Sequence, residues 1–315
     1  MTYRPLGDSG LMVSAVGIGC NAFGRRVDLD GVRDILAAAR ETGVTLLDTA
    51  DTYGDPQGAS EELLGEALRG QREEFVVATK FGADMRGSNG ADFGARASRR
   101  YVRRAVEASL RRLRTDHIDL YQLHLPDGVT PIEETLSVLT DLVREGKVRY
   151  LGCSNFAGWQ VADAAWTART AGLDGFVSVQ NRYSLLDRTI EDEVVPACEE
   201  FGLGILPYFP PEHGLLTGKY RRGQVAPEGS RAALDPSRAH WLANADWDRI
   251  EASEKYAEAR GLAPLDVAIA GLAAQPAVAS VISGATSGDQ VRANAAALRW
   301  VPSAEDLVEL DEVTR

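Results

Sequence analysis

The chain alternates short runs of β-branched and apolar residues with longer stretches whose apolar positions recur every three or four residues. The runs are VSAVGIGC (13–20), TLLDTA (45–50), FVVATK (75–80), IDLYQLH (118–124), VRYLGCSN (148–155), FVSVQN (176–181), GILPYF (204–209) and VASVISG (278–284). Each has the length of a buried strand and lacks clean polar alternation, the pattern of a parallel sheet covered on both faces. Between them lie DLDGVRDILAAARETG, SEELLGEALRG, SRRYVRRAVEASLRRLR, PIEETLSVLTDLVREGK, GWQVADAAWTARTAG, TIEDEVVPACEEFG, the stretch from Trp247 to Ala274, and SGDQVRANAAAL, all read as helices. Pro131 with Glu133 and Glu134 opens one of them, and Gly43, Gly146, Gly172 and Gly202 close others. Eight strands alternating with eight helices is the count for a (β/α)8 TIM barrel, and residues 1–315 read as one such α/β domain. An open doubly wound sheet is the alternative, weakened because no GxGxxG follows the first strand.

Two segments stand outside the repeat. Residues 2–13, TYRPLGDSGLMV, predict a hairpin turning at Gly7–Gly10 and plugging the barrel bottom. Residues 210–245 form a long Pro/Gly/Arg-rich loop after the seventh strand, too long for a plain connector and read as a lid.

With 44% hydrophobic and 25% charged residues, the chain has an ordinary globular composition. Its net charge of -12 argues against nucleic acid and anionic membranes as partners, and obliges any anionic cofactor to find a local basic patch. Met1 to Gly10 lacks a signal-peptide pattern, and no apolar run is long enough to span a bilayer. Cys20, Cys153 and Cys198 are far apart, with no metal-ligand spacing, and read as reduced thiols of a cytoplasmic protein without a metal.

In such a barrel the C-terminal strand ends line the active-site mouth. Here the second strand ends at Asp48 with Tyr53 just beyond, the third at Lys80 and the fourth at His124. Ser154 and Asn155, Gln180 and Asn181, Tyr208, and Ser283 with Gly284 follow on the later strands. A lysine and an aspartate in one apolar mouth must pair, since an unpaired buried charge is costly. A tyrosine beside that ammonium is expected to have its pKa of about 10 drawn towards working pH. Tyr53 is then placed to act as general acid or base at a carbonyl oxygen, and His124 to hydrogen-bond that oxygen. The hydride for such chemistry must come from a cofactor, because no side chain supplies one.

The stretches LDTADTYG, VVATKFG, IDLYQLH, GKVRYLGCSN, VQNRYSLLDR, PxxGLLTGK and SGATSGDQVRAN occur in the order in which the aldo-keto reductase superfamily shows them. The chain resembles that superfamily from about Tyr3 to Leu298, and most resembles bacterial members related to potassium-channel β-subunits and sugar-aldehyde reductases. The resemblance implies Tyr53 as general acid/base, Lys80 and Asp48 tuning it, and His124 orienting a carbonyl or sugar substrate. It implies that Ser154, Asn155 and Gln180 hold a nicotinamide carboxamide, that Tyr208 stacks on the ring, and that Gly19, Cys20 and Asn21 border it. Phe209, Pro210, Pro211, Gly214 and Leu215 would follow the pyrophosphate, with Lys219 and Arg231 facing the phosphates. Gly284, Thr286, Gln290 and Asn294 would receive the adenosine end, at a helix N-terminus that favours an anion.

The chain departs from the family pattern in two places. Glu212 stands beside the expected pyrophosphate path, where an acidic residue is tolerable only if it points to solvent, and Thr286 stands where many relatives have Arg. Lys219 and Arg231 remain for a 2′-phosphate, and NADP(H) is expected over NAD(H).

Other candidates receive blander readings. His117, His213 and His240 read as surface or loop residues without a role. The seven arginines between Arg99 and Arg114 spread around a helix that buries Val102, Val106 and Leu110, a solvated face rather than a nucleic-acid site. Trp159, Trp166, Trp241, Trp247 and Trp300 read as packing residues, and Phe23 and Phe81 as apolar walls of a substrate pocket. A redox-sensing or partner-binding subunit with the same cofactor is the second functional reading; the start of the chain almost at the hairpin favours the enzyme. A lyase or isomerase barrel using SGATSG (283–288) as a phosphate loop is the third. The family resembled includes both monomers and rings, so the oligomeric state stays open.

Overall fold

The computed structural model describes residues 1–234 and 240–315; residues 235–239, inside the expected 210–245 lid, lie outside the described part. Strands β1 (Tyr3–Pro5) and β2 (Met12–Ser14) pair antiparallel, Arg4 opposite Val13. The apolar run 13–20 therefore divides: its first two residues finish the hairpin, and only Val16–Gly19 forms the barrel strand β3. The buried Ser14 hydroxyl makes the corner, donating to the Val16 carbonyl at 2.7 Å and accepting from the Thr45 amide at 2.9 Å.

After β3 come β4 (Leu46–Asp48), β5 (Val76–Phe81), β6 (Ile118–Leu123), β7 (Val148–Ser154), β8 (Phe176–Gln180), β9 (Gly204–Ile205) and β10 (Val281–Gly284). From β3 to β9 each strand pairs parallel with the next in sequence, and β10 pairs parallel with β3. The ring closes through single bridges, Ile205 to Val278 and Tyr208 to Ile282. This is the expected (β/α)8 barrel. β9 is shorter than the expected 204–209 because Pro207 has no N–H for the ladder, although its carbonyl still accepts from the Ile282 amide at 2.9 Å.

The outer layer holds α1 (Leu29–Thr42), α2 (Ala59–Ala67), α3 (Arg99–Leu113), α4 (Ile132–Arg144), α5 (Gly158–Ala171) and α6 (Val194–Phe201). The stretch Trp247–Ala274, read as one helix, is two. Short helices α7 (Arg231–Leu234) and α8 (His240–Ala243) precede α9 (Trp247–Ala259), which ends before Gly261 at φ +66°, and α10 (Pro264–Ala273) starts on a proline. After α11 (Gly288–Ala297) a further helix, α12 (Ala304–Thr314), opens on the Ser303–Asp306 capping box; it was not foreseen in the sequence pattern. It packs against α9, with the Tyr256 hydroxyl donating to the Asp306 carbonyl at 2.9 Å.

The hairpin plugs the barrel. Leu6, Leu11 and Val13 pack with Leu46, Ala78, Leu120, Leu206, Ala279 and Ile282 inside the ring. The turn docks so closely that a Cβ on Gly7, at φ +57°, would stand 2.4 Å from the Gly202 carbonyl oxygen. With the N-terminal end closed, only the C-terminal mouth is left for chemistry.

On α3 the arginines pair with acids of neighbouring helices, Arg103 with Glu145 at 2.7 Å and Arg112 with Glu61 at 2.7 Å, while Val102, Val106 and Leu110 face the core. His117, expected at the surface, is buried, its Nδ1 2.8 Å from Asp116. Among the described residues no helix is long and apolar enough to cross a membrane.

Candidate active site

The two-residue period of the strands builds the site in layers. Leu46, Ala78 and Leu120 form an apolar layer in the ring; two residues further along the same strands stand Asp48, Lys80 and Gln122, joined by Gln180 of β8. A polar layer thus caps an apolar one. Lys80 Nζ lies 2.6 Å from Asp48 Oδ2 and donates to the Thr49 carbonyl at 3.1 Å. Asp48 Oδ1 accepts from Gln122 Nε2 at 3.0 Å and Gln180 Nε2 at 2.9 Å. Both ions are nearly inaccessible, with side-chain exposures of 1% and 3%. Their hydrogen bonds supply the compensation a buried pair requires.

Tyr53 stands above this layer on the loop after β4. Its carbonyl accepts from the amides of Gly58 and Ser60, each at 3.1 Å, which binds the loop to the start of α2. The Lys80 ammonium sits 5.1 Å from the Tyr53 ring centre, and His124 meets that ring edge-on, centroids 5.9 Å apart. His124 is fixed by its backbone: its amide donates to the Phe81 carbonyl at 2.7 Å and its carbonyl accepts from Asn155 Nδ2 at 3.0 Å. Among the described residues its buried Nδ1 has no hydrogen-bond partner.

The electrostatics partly reverse the expectation from sequence. Burial pulls the Lys80 ammonium towards neutrality, but Asp48 and then Tyr53 outweigh it, so its pKa is raised. Burial also raises the Tyr53 hydroxyl, and the Lys80 charge recovers only part of that shift. Its pKa therefore moves up, not down towards neutrality: the ammonium's field is shared with Asp48 while the phenolate's lost hydration is not replaced. Burial, reinforced by Lys80, lowers His124 to about 3, so its ring is neutral at physiological pH.

These groups open into a cavity of about 620 Å³. Of the residues singled out from sequence, Gly19, Asn21, Asp48, Tyr53, His124, Ser154, Asn155, Gln180, Tyr208, Phe209, Pro210, Pro211, Gly214, Lys219, Arg231, Gly284, Thr286, Gln290 and Asn294 line it. Several are interlocked. The Tyr208 hydroxyl donates to Asn155 Oδ1 at 2.9 Å, and Gln290 Oε1 accepts from the Thr286 amide at 2.8 Å.

Others fall elsewhere, and strand alternation explains most of them. Phe81 follows inward-facing Lys80, so it points out of the ring, wholly buried and stacked on Tyr121 at 4.6 Å; Phe23 is equally buried. Neither is a wall of the cavity. Cys20, between inward-facing Gly19 and Asn21, turns into the core, where burial pushes its thiol far above the usual range. Leu215 packs beneath the loop with Tyr220 and Ile250. Glu212 points neither to solvent nor to the cavity: it is buried, paired with Arg182 and accepting from the Ser184 hydroxyl at 2.9 Å. The N-terminus of α11, expected to attract an anion, already has one, since the Gly288 amide donates to Asp34 at 2.7 Å.

Three residues without an assigned role belong to the site. Gln122 holds Asp48, and its place two residues before His124 on one strand was the available signal. Arg26, on the loop after β3, lines the cavity with no local signal at all. His213, read as a bystander, lines it too. Burial lowers the Lys219 pKa, and nearby Arg26 and Arg231 lower it further, a local concentration of positive charge in a chain of net charge -12.

Comparison with known proteins gives a match of residues 15–315 to the model of the aldo/keto reductase family. The match continues through α12, beyond Leu298 where the sequence resemblance was drawn to a close. The chain is 34% identical to a probable voltage-gated potassium channel subunit beta of Oryza sativa subsp. japonica, over 96% of this chain and 92% of that one. It is 36% identical to the uncharacterized oxidoreductase YrpG of Bacillus subtilis, over 93% and 89%. It is also 31% identical to an L-glyceraldehyde 3-phosphate reductase of Escherichia coli O157:H7, over 99% and 92%.

Proposed function

Because the chain belongs to the aldo/keto reductase family, we propose that it reduces the carbonyl of a small aldehyde, ketone or sugar at the expense of NADP(H), with Tyr53 as general acid, and runs the reverse oxidation with Tyr53 as general base. The observation that carries this reading is the desolvated Lys80–Asp48 pair directly beneath Tyr53 and His124 at the cavity mouth. The cavity volume falls within the range of about 300–1,000 Å³ usual for cofactor and ligand sites. Its Arg26, Lys219 and Arg231 fit a polyanionic dinucleotide. His124 and Tyr53, both lining the cavity, fit a carbonyl partner beside them.

When bound, the reduced nicotinamide supplies the hydride. The Tyr53 hydroxyl, held protonated by burial, delivers the proton that the developing alkoxide takes, and Lys80 stabilises the phenolate left behind. Neutral His124 orients the carbonyl without competing for that proton. Asp48, fixed by Gln122 and Gln180, keeps Lys80 charged. Ser154, Asn155 and Gln180 would hold the carboxamide, Tyr208 the ring, and Lys219 with Arg231 the phosphates. The three cations favour NADP(H) over NAD(H), against the absence of an arginine at Thr286.

The likeness to a probable channel β-subunit supports a second reading, a cofactor-binding sensor or partner subunit with little turnover. Fluorescence titration with NADPH and NADH, followed by a panel of aldehydes, ketones and sugars, separates the two. Turnover that falls about 10²–10⁴-fold in Tyr53→Phe, with nucleotide affinity kept, is the expected result. Tight binding with no turnover of any carbonyl would favour the sensor, and failure to bind either nucleotide would overturn both.

A further inference from the structure

The segment after β9 crosses the cavity wall in a backbone conformation that its residues disfavour. Phe209, Glu212 and His213 are left-handed at φ +58°, +43° and +57°, followed by Gly214 at +95°. Of these four, only the glycine adopts such angles without a steric penalty. Phe209, Pro210, Pro211, His213 and Gly214 line the cavity, whereas the Glu212 side chain turns away from it and is buried. There it pairs with Arg182 and accepts from the Ser184 hydroxyl at 2.9 Å, both on the loop after β8. Among the described residues, these are the polar contacts that tie 209–214 to the body of the barrel. Its other hydrogen bonds run within the segment itself, as from the Gly214 amide to the Pro211 carbonyl at 2.8 Å.

We propose that Glu212 is a positioning residue for the dinucleotide: by gripping Arg182 and Ser184 it fixes residues 209–214 as a ready-made cradle before the phosphates arrive. The proposal rests on the nicotinamide-dinucleotide reading given above.

The grip is specific because its partners are themselves fixed. Arg182 Nε lies 3.0 Å from Asp187 Oδ2. The Ser184 oxygen accepts from the amides of Leu186 and Asp187, at 3.2 and 2.9 Å, which leaves its proton for Glu212. Arg182 also faces Tyr208 across a β-bridge, so the donors are anchored where β9 gives way to the segment. The rings of Phe209 and His213 add no such anchor, since they pack on each other and on Trp241, further along the same segment. A buried ion pair adds little net stability, because desolvation offsets most of the attraction. What it supplies is registry: both ends meet in one arrangement, and here that arrangement contains the left-handed turn.

Charge and geometry give opposite signs for the loss of this carboxylate. Removing a negative charge from beside a polyanion tightens binding by Coulomb attraction. Freeing the turn weakens binding by the fraction of molecules that still hold the cradle. With about one molecule in ten in that form, the dissociation constant rises about tenfold.

NADPH is titrated by its fluorescence into the unsubstituted protein, Glu212→Gln, Arg182→Ala and the double variant, each well below its measured Tm. Glu212→Gln keeps the side-chain volume and an acceptor for Ser184. The expected result is binding about tenfold weaker in Glu212→Gln, with the double variant no weaker than Arg182→Ala, because the pair acts as a unit. Unchanged or tighter binding in Glu212→Gln, or losses that add in the double variant, would overturn the proposal. In turnover the same loss appears as a higher KM for NADPH with kcat kept. A fall in kcat at unchanged KM would instead place Glu212 in the chemical step and overturn it. Binding indifferent to Glu212 defeats this inference alone, whereas an unsubstituted protein that binds neither NADPH nor NADH defeats the functional reading beneath it.

Discussion

Asp48→Asn isolates one interaction almost cleanly. The amide keeps the volume of the carboxylate, and its Oδ1 can still accept from Gln122 and Gln180, which donate to Oδ1 at 3.0 and 2.9 Å. The contact that changes is the 2.6 Å one, where an NH₂ would now face the Lys80 ammonium. Both side chains are almost fully buried, so Lys80 is left as an uncompensated buried charge, a loss of about 3–5 kcal/mol. For 315 residues, an unfolding entropy of about 2.1 cal/mol/K per residue converts this to a Tm lower by about 5–8 °C. Turnover falls with it, because burial without Asp48 drives Lys80 towards the neutral amine and removes the charge that stabilises the Tyr53 phenolate. In Asp48→Asn/Lys80→Met no buried charge remains, so much of the lost stability returns while turnover does not. Differential scanning calorimetry on the four proteins, beside steady-state carbonyl reduction, reads both effects. A single variant with unchanged Tm, or a double variant that loses the sum of its singles, would refute the claim that the pair is coupled.

Two more outcomes follow from the same geometry. His124 has a folded pKa of about 3, below its ordinary 6.5. The neutral ring is therefore at no disadvantage above pH 6.5, and stability is lost as pH falls from 6.5 towards 3, by at most about 1.4 kcal/mol per pH unit. His124→Gln should show a shallower acid limb in chemical denaturation between pH 4 and 6.5, and an identical limb would contradict a buried neutral histidine. Phe81→Ala removes a wholly buried ring stacked on Tyr121, and should cost about 3–5 kcal/mol in urea unfolding. The KM for carbonyl substrates should stay within about twofold, and a many-fold rise would restore Phe81 to the substrate pocket.

The repeat of strand and helix was legible because it depends on local periodicity: parallel strands buried on both faces read as apolar runs, and helices as amphipathic ones. The convergence of the candidate site residues was legible for a related reason. Asp48, Lys80 and His124 end apolar runs, and strand ends of a closed barrel converge whatever the loops do. Other features depended on phase, and phase is set by the ring. Shifting one position moves a side chain from the mouth to the helix layer, which is why Lys80 and Asn21 face the site while Phe81 and Cys20 face the core. The same parity reveals Gln122 once His124 is known to point inward. Charge and desolvation were beyond local reading altogether. Arg26 comes from the loop after β3 whereas Lys219 and Arg231 come from the long segment after β9, the Glu212 carboxylate is diverted to Arg182, and the Tyr53 pKa rises because burial exceeds the pull of a lysine already shared with Asp48. These are sums over neighbours brought together by the fold, and only the closed barrel decides which neighbours they are.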